Sequence, residues 1–160
     1  MSNFFRKLRD KLTNSVDVPT THRYFVRHIK EGLVAYPQGM YFISDRVLNE
    51  MDKSFSGKPI YIEHIDSATA DEAEANNTCG TVVKSFLNEY DGWHWAEVMV
   101  NDEGDGCFRK GWLVSNAHNP SQYGVGGIHN AIDFDREVLS SCYEHLALTE
   151  RPRYEGAIVL

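Results

Sequence analysis

From residue 22 onward, short runs rich in apolar, β-branched and aromatic residues recur between polar and turn-forming segments, the pattern of strands. It predicts strands over His22–His28, Leu33–Tyr36, Pro59–Ile62, Gly80–Leu87, Trp93–Val100, Trp112–Ala117, Ile128–Phe134, Tyr143–Leu148 and Ala157–Leu160. Between two of these runs stands Asn88-Glu89-Tyr90-Asp91-Gly92, whose Asp-Gly dipeptide is a hairpin signal, so 80–87 and 93–100 are expected to pair antiparallel. Helical spacing interrupts at Ser44–Lys53, with Ser44 as N-cap and Val47, Leu48 and Met51 on one face, and again over Asp102–Lys110. At the start, Phe4, Phe5, Leu8 and Leu12 stand at helical spacing among Arg6, Lys7, Arg9 and Lys11, an amphipathic helix expected to pack on the flank of the body. Residues 13–21 then read as a linker. The expected organisation is an N-terminal helix and linker over 1–21 followed by one domain over 22–160. Its class is mostly β with peripheral helices: a largely antiparallel sheet, closed or nearly closed into a barrel. The polar stretches Asp66–Thr78 and His118–Gly127 read as long surface loops or lids.

Composition narrows the function classes. The chain has 160 residues, enough for one core without a covalent staple. Sixteen basic against 23 acidic side chains leave a net charge of −7, which argues against a nucleic-acid binder that works by neutralising phosphates. No apolar run approaches the roughly 18 residues of a membrane span, and the N-terminus lacks a signal-type apolar region, so neither a membrane nor secretion is expected. Cys79, Cys107 and Cys142 are odd in number and far apart, which suggests neither a disulfide framework nor a zinc knuckle and fits a reducing cytoplasm.

Candidate chemistry centres on histidine and serine. His64 lies where the strand of GKPIYIEHID runs out into a long loop, a usual place for a working side chain. Ser115 ends the apolar run of KGWLVSNAHNP, where a serine is either a nucleophile or a turn cap. His145 stands among apolar neighbours in CYEHLALTERPR, the setting of a core histidine. His22, His28 and His94 fall inside strand patterns and read as structural. Pairs such as His64 with Asp66, or His118 with His129, supply metal-type ligands but lack the third and fourth convergent groups zinc requires, so neither metal nor cofactor is expected. There is no P-loop, no Gly-x-Gly-x-x-Gly after a strand and no Gly-x-Ser-x-Gly elbow.

Taken in order, five segments resemble the prohead maturation proteases of tailed bacteriophages. These are GLVAYPQG, GKPIYIEHI, CGTVVKSFLNEYDGWHWAEVMVND, KGWLVSNAHNPSQY and EHLALTERPRYEGAIVL, together covering about residues 32 to 160. The family is related to the herpesvirus assembly proteases, and the resemblance implies their β barrel decorated with helices. It also implies a serine endopeptidase that cuts scaffold and major capsid proteins, and itself, inside an assembling procapsid in the host cytoplasm, with self-association of active forms. Carried over by position, Ser115 becomes the nucleophile, His64 the base and His145 the third member, with Arg151, Arg153 and Asn116 as candidates for the oxyanion hole.

That chemistry is coherent in itself. A serine hydroxyl needs a base within hydrogen-bond reach, and imidazole can take the proton and return it to the leaving amine. A neutral histidine as third member stabilises the imidazolium less than a carboxylate does, which predicts a slow enzyme; Asp66 and Glu144 are the nearest acidic substitutes. The rival from another class is a virion structural or cement protein that keeps the fold without hydrolysis. A metal-dependent hydrolase using His64 and Asp66 is a third alternative.

Overall fold

The computed structural model describes residues 21–63 and 78–152. The expected N-terminal helix, His64, Asp66, Arg153 and the strand expected at 157–160 lie outside these residues. The elements run β1 (His22–Lys30), β2 (Gly32–Tyr36), β3 (Gly39–Ile43), α1 (Asp45–Phe55), β4 (Pro59–Ile62), β5 (Thr78–Leu87) and β6 (Trp93–Val100). They continue with α2 (Asp102–Arg109), β7 (Leu113–Gly124), β8 (Gly127–His129), β9 (Ile132–Phe134) and β10 (Arg136–Thr149). The described molecule is therefore mostly β, and most of its strand pairings are antiparallel, as the sequence predicts.

The main sheet follows the path β1-β6-β5-β4-β10-β3-β2, with β7 on the other flank of β10. β10 organises it. Its first part lies parallel to β3, pairing Val138 with Ile43, and its last part lies parallel to β4, pairing Leu146 with Ile60. Along its opposite edge it is antiparallel to β7, from Glu137↔Gly124 to Thr149↔Leu113. Among the described residues the expected barrel closure is not found. β1 and β7 approach each other but share no backbone ladder; a register irregularity between Arg27 and Ile29 frees the His28 carbonyl, and the Asn116 side-chain amide fills the gap by donating to it at 3.0 Å.

Two further expectations change. The segment His118–Gly124 is not loop but the continuation of β7, because β10 begins at Arg136 and supplies a partner. Ile128–Phe134 is not one strand but the hairpin β8-β9, reversed at Asn130 and Ala131, both at positive φ (50° and 64°). The β5-β6 hairpin forms as read, closed by Asn88 N–H to Trp93 O at 2.8 Å and by Gly92 at φ 75°, where the turn needs a residue without Cβ.

Helix α1 closes the hollow of the sheet. Ser44 caps it by accepting from Val47 N–H, and Val47, Leu48, Met51 and Phe55 point into a core shared with Ile60, Val82, Val98, Leu146 and Leu148. The Phe55 ring stacks on Tyr143 at 4.0 Å, and Ser54 Oγ accepts from Tyr143 N–H, so the helix is pinned to β10 by packing and by hydrogen bonding. Each such fully buried side chain stabilises the fold by about 1.5–3 kcal/mol. Helix α2 caps the other end, with Asn101 accepting from Gly104 N–H and the Phe108 ring against Tyr24. Among the described residues no helix is long and apolar enough to cross a membrane.

Candidate active site

Successive residues of a strand point to opposite faces, so the β4-β10-β7 pairing sorts side chains into two sets. Ile60, Leu146, Leu148, Val114 and Asn116 face the core with α1. Tyr61, His145, Ala147, Ser115 and Ala117 share the other face. A bulge decides where His145 goes. Tyr143 pairs with His118 and His145 with Ala117, leaving Glu144 as the extra residue, so Tyr143 enters the core while His145 turns to the face of Ser115. Glu144 itself is exposed.

Ser115 pairs with Ala147, which puts it diagonally across from His145. Diagonal neighbours on adjacent strands have Cβ atoms about 7–8 Å apart or less, within reach of a long ring. The Tyr61 ring meets His145 edge-on at 5.0 Å. Ser115 is fully buried, and its Oγ has no hydrogen-bond partner. A buried hydroxyl left without a partner costs about 1–3 kcal/mol, so such a group calls for a reason.

His64 lies outside the described residues, but the chain leading to it does not. Glu63 has φ 64°, a strained value for a residue with a side chain, and its N–H donates to Leu148 O at 2.8 Å. Its carboxylate accepts from Thr149 Oγ1 at 2.9 Å, and Thr149 Oγ1 in turn accepts from Arg151 N–H at 3.0 Å. The turn before His64 is thus tied to the end of the strand that carries His145. Arg151 is exposed there, in the bend that follows β10, four residues beyond Ala147. Asn116 faces the core, so its side chain is turned away from Ser115 and of this residue only the backbone shares Ser115's surroundings.

The core face holds what the sequence reading missed: one hydrogen-bonded chain of eight side chains. Tyr36 donates to His118 Nε2, and His118 Nδ1 lies 2.9 Å from Asn116 Oδ1. Asn116 Nδ2 reaches His28 Nδ1 at 3.2 Å, and His28 Nε2 reaches Ser85 Oγ at 2.9 Å. Ser85 donates to Asp52 Oδ1 at 2.6 Å. The other Asp52 oxygen lies 2.7 Å from His94 Nδ1, and His94 Nε2 is 3.0 Å from Asp45 Oδ1. Only one proton arrangement satisfies every link. Asn116 Nδ2 is a donor, so His28 Nδ1 must be bare and Nε2–H must donate to Ser85; the Ser85 proton then goes to Asp52.

The ionisation states agree. Burial, with His94 and His118 nearby, pushes the His28 imidazole down to about 3, so the ring is neutral. Burial also opposes charge on His94, but hydrogen bonds and charge from Asp52 and Asp45 outweigh it and raise the group, so it donates from both nitrogens. Asp45 and Asp52 lie two helical turns apart on one face of α1, and the imidazolium between them ties that helix to β6.

Ser85 has the company expected of a nucleophile, with histidine and aspartate in contact, and it borders an open groove of about 390 Å³ beside Asp52, Lys53 and Lys84. Proton order rules against that role. His28 donates to Ser85 instead of accepting from it, and an aspartate bonded to an imidazolium is a poor base. No group of three or more metal-type ligands occurs among the described residues. His118 is held by Asn116 and Tyr36, and the His129 ring lies against Phe42 at 4.6 Å. No family model, curated protein or solved structure matches the chain.

Proposed function

We propose that the protein is a serine endopeptidase with Ser115 as nucleophile, His64 as base and His145 as third member. It would act on scaffold and major capsid proteins, and on itself, inside an assembling phage procapsid in the host cytoplasm. The observation that carries this reading is the Ser115 hydroxyl: buried, without a hydrogen-bond partner, and on the sheet face to which a bulge turns His145. Ser141 Oγ on β10 is also buried without a partner, so what distinguishes Ser115 is its place on the face of His145, where a reaction would account for the cost. Further support comes from the strained turn at Glu63, which leads into His64 and is tied to β10 two ways. The fold that goes with the reading is the herpesvirus-type protease barrel, here with the β1-β7 seam bridged by side chains.

The mechanism uses these groups as follows. The base takes the Ser115 proton as Oγ attacks the scissile carbonyl, then returns it to the leaving amine; water repeats the cycle on the acyl-enzyme. His145 would hold the base in the productive tautomer. The tetrahedral oxygen needs donors, for which the backbone at Asn116 and the guanidinium groups of Arg151 and Arg153 are candidates.

Complete burial of Ser115 favours a second reading, a virion structural protein of the same fold. Co-expression with the scaffold and capsid proteins encoded beside it, as wild type and as Ser115→Ala, separates the two. Processing lost only in the variant supports the peptidase; identical banding in both assigns the structural role. Abolition of processing by a chelator, with Ser115→Ala still active, would point instead to the metal-dependent alternative.

A further inference from the structure

In its observed register β7 buries the wrong residues by hydrophobicity. Val114, Asn116 and His118 face the core, while Leu113, Ser115 and Ala117 take the other side. A slip by one residue would exchange the sets and put Leu, Ser and Ala inward in place of Val, Asn and His, a less polar core face. The ladder to β10 is a weak guard against this, since its register already shifts between Val138 and Ser140, between Ser140 and Ser141, and between Tyr143 and His145. Among the described residues, the other side of β7 meets β1 through the side-chain seam and not through a backbone ladder.

We propose that the buried Tyr36-His118-Asn116-His28-Ser85 chain locks the register of β7 and thereby aims Ser115 at the face of His145, making Asn116, His28 and His118 positioning residues. The register lock stands on the contacts alone; its consequence for Ser115 rests on the peptidase reading. Asn116 is the key. Its amide donates both to the His28 carbonyl at 3.0 Å and to His28 Nδ1, and its oxygen lies 2.9 Å from His118 Nδ1. The two contacts to His28 cross to β1 and need an amide at this position of β7 and no other, while the bond to His118 moves with the strand. The neighbours Ser115 and Ala117 cannot supply them, so a slipped strand would leave the His28 carbonyl and Nδ1 without these partners in the core. Buried polar groups of this kind select one arrangement among several of similar apolar burial.

The test uses the full chain in three variants. Asn116→Asp sets a carboxylate against the His28 carbonyl and bare Nδ1. His28→Phe keeps a ring beside Phe55 and Tyr143 but removes both imidazole hydrogen bonds, leaving only the backbone carbonyl to accept from Asn116. Asn116→Leu supplies an apolar group that by itself prefers the core. Register is read by cross-strand nuclear Overhauser contacts between residues 115 and 147 and between 116 and 146. Site geometry is read by the rate at which a fluorophosphonate labels Ser115, and by kcat and KM in scaffold cleavage. The lock predicts displaced contacts in Asn116→Asp and His28→Phe, a fall of at least tenfold in labelling and kcat with KM little changed, and native contacts in Asn116→Leu. If Asn116→Asp does not fold, His28→Phe decides alone.

Native contacts in every folded variant of the first two overturn the lock. Displaced contacts with undiminished labelling overturn the positioning role. A wild type that neither labels nor cleaves, in a chain whose contacts still shift on substitution, keeps the register lock and removes the peptidase reading.

Discussion

The two faces of β7 differ more than their sequence separation of one residue suggests. On the core face Asn116 and His118 are buried and both polar atoms of the Asn116 side chain and both nitrogens of His118 are hydrogen-bonded, in a chain that fixes the His28 tautomer. On the other face Ser115 is buried just as completely and its hydroxyl has no partner. Both serine environments contain histidine, yet they are chemically opposite. The Ser85 oxygen receives a proton from His28 and its own proton is held by Asp52, so it is spent on structure. The Ser115 hydroxyl is spent on nothing that holds the fold together. A satisfied network is where stability is found; an unsatisfied group on a rigid strand is where chemistry is to be sought.

The largest expected effect is on the Ser115 side. Ser115→Ala should lower scaffold processing by about a thousandfold or more. Its melting temperature should stay level or rise, because the substitution removes an unpaired hydroxyl worth about 1–3 kcal/mol of desolvation. A large fall in melting temperature would show that the hydroxyl is structural after all and erase the contrast.

Asp52→Ala, on the opposite side of the comparison, should cost about 3–5 kcal/mol in denaturant unfolding, since it strips the His94 imidazolium of its shorter partner and leaves the Ser85 proton without its acceptor.

Two of the buried histidines, His28 and His94, should shape stability against pH in opposite directions. His28 is held far below its unfolded value of about 6.5, so the unfolded chain binds the extra proton first. Its stabilisation is complete above pH 6.5 and is lost as pH falls from there toward about 3. His94 is raised, so its contribution is full below the unfolded value and is lost as pH rises through the folded one. Denaturant midpoints measured across this range should form a dome, and His94→Gln should flatten only its alkaline side. A decline of equal slope in that variant would mean that some other group carries it.

The smallest effect sharpens the comparison most. Ser85→Ala should cost about 1–2 kcal/mol and lower processing of scaffold far less than Ser115→Ala does, since the hydroxyl relays hydrogen bonds and does not attack. Processing lost in Ser85→Ala and kept in Ser115→Ala would exchange the roles assigned to the two serines.

Much of this was legible in the residues themselves. The apolar and β-branched runs located most of the strands, the Asp91-Gly92 turn located the first hairpin, and Ser44 with its apolar face located α1. The buried network left a trace that reading His28 and His94 as ordinary structural residues passed over. In WHWAEVMV the histidine takes the inward place of an alternating strand, with Ala96, Val98 and Val100, and Asp52 falls on the apolar face of α1 beside Met51 and Phe55. A titratable group at a core position implies a buried partner. That signal was present; the identity of the partners was not.

Local pattern determines what a segment of this chain prefers: a strand-forming run, a cap, a turn, an apolar face. It does so because neighbouring residues share one stretch of backbone, and that information is carried within about ten positions. Which segments meet is decided by packing and hydrogen bonding over distances the pattern does not see. Only the folded chain makes β10 the common partner of β3, β4 and β7, turns His145 away from Tyr143 through one extra residue, and sets Asn116 rather than Ser115 toward the core. On β7 the two sources disagree, and the tertiary hydrogen bonds prevail, because an amide with every partner satisfied outweighs the modest gain from burying a slightly more apolar face.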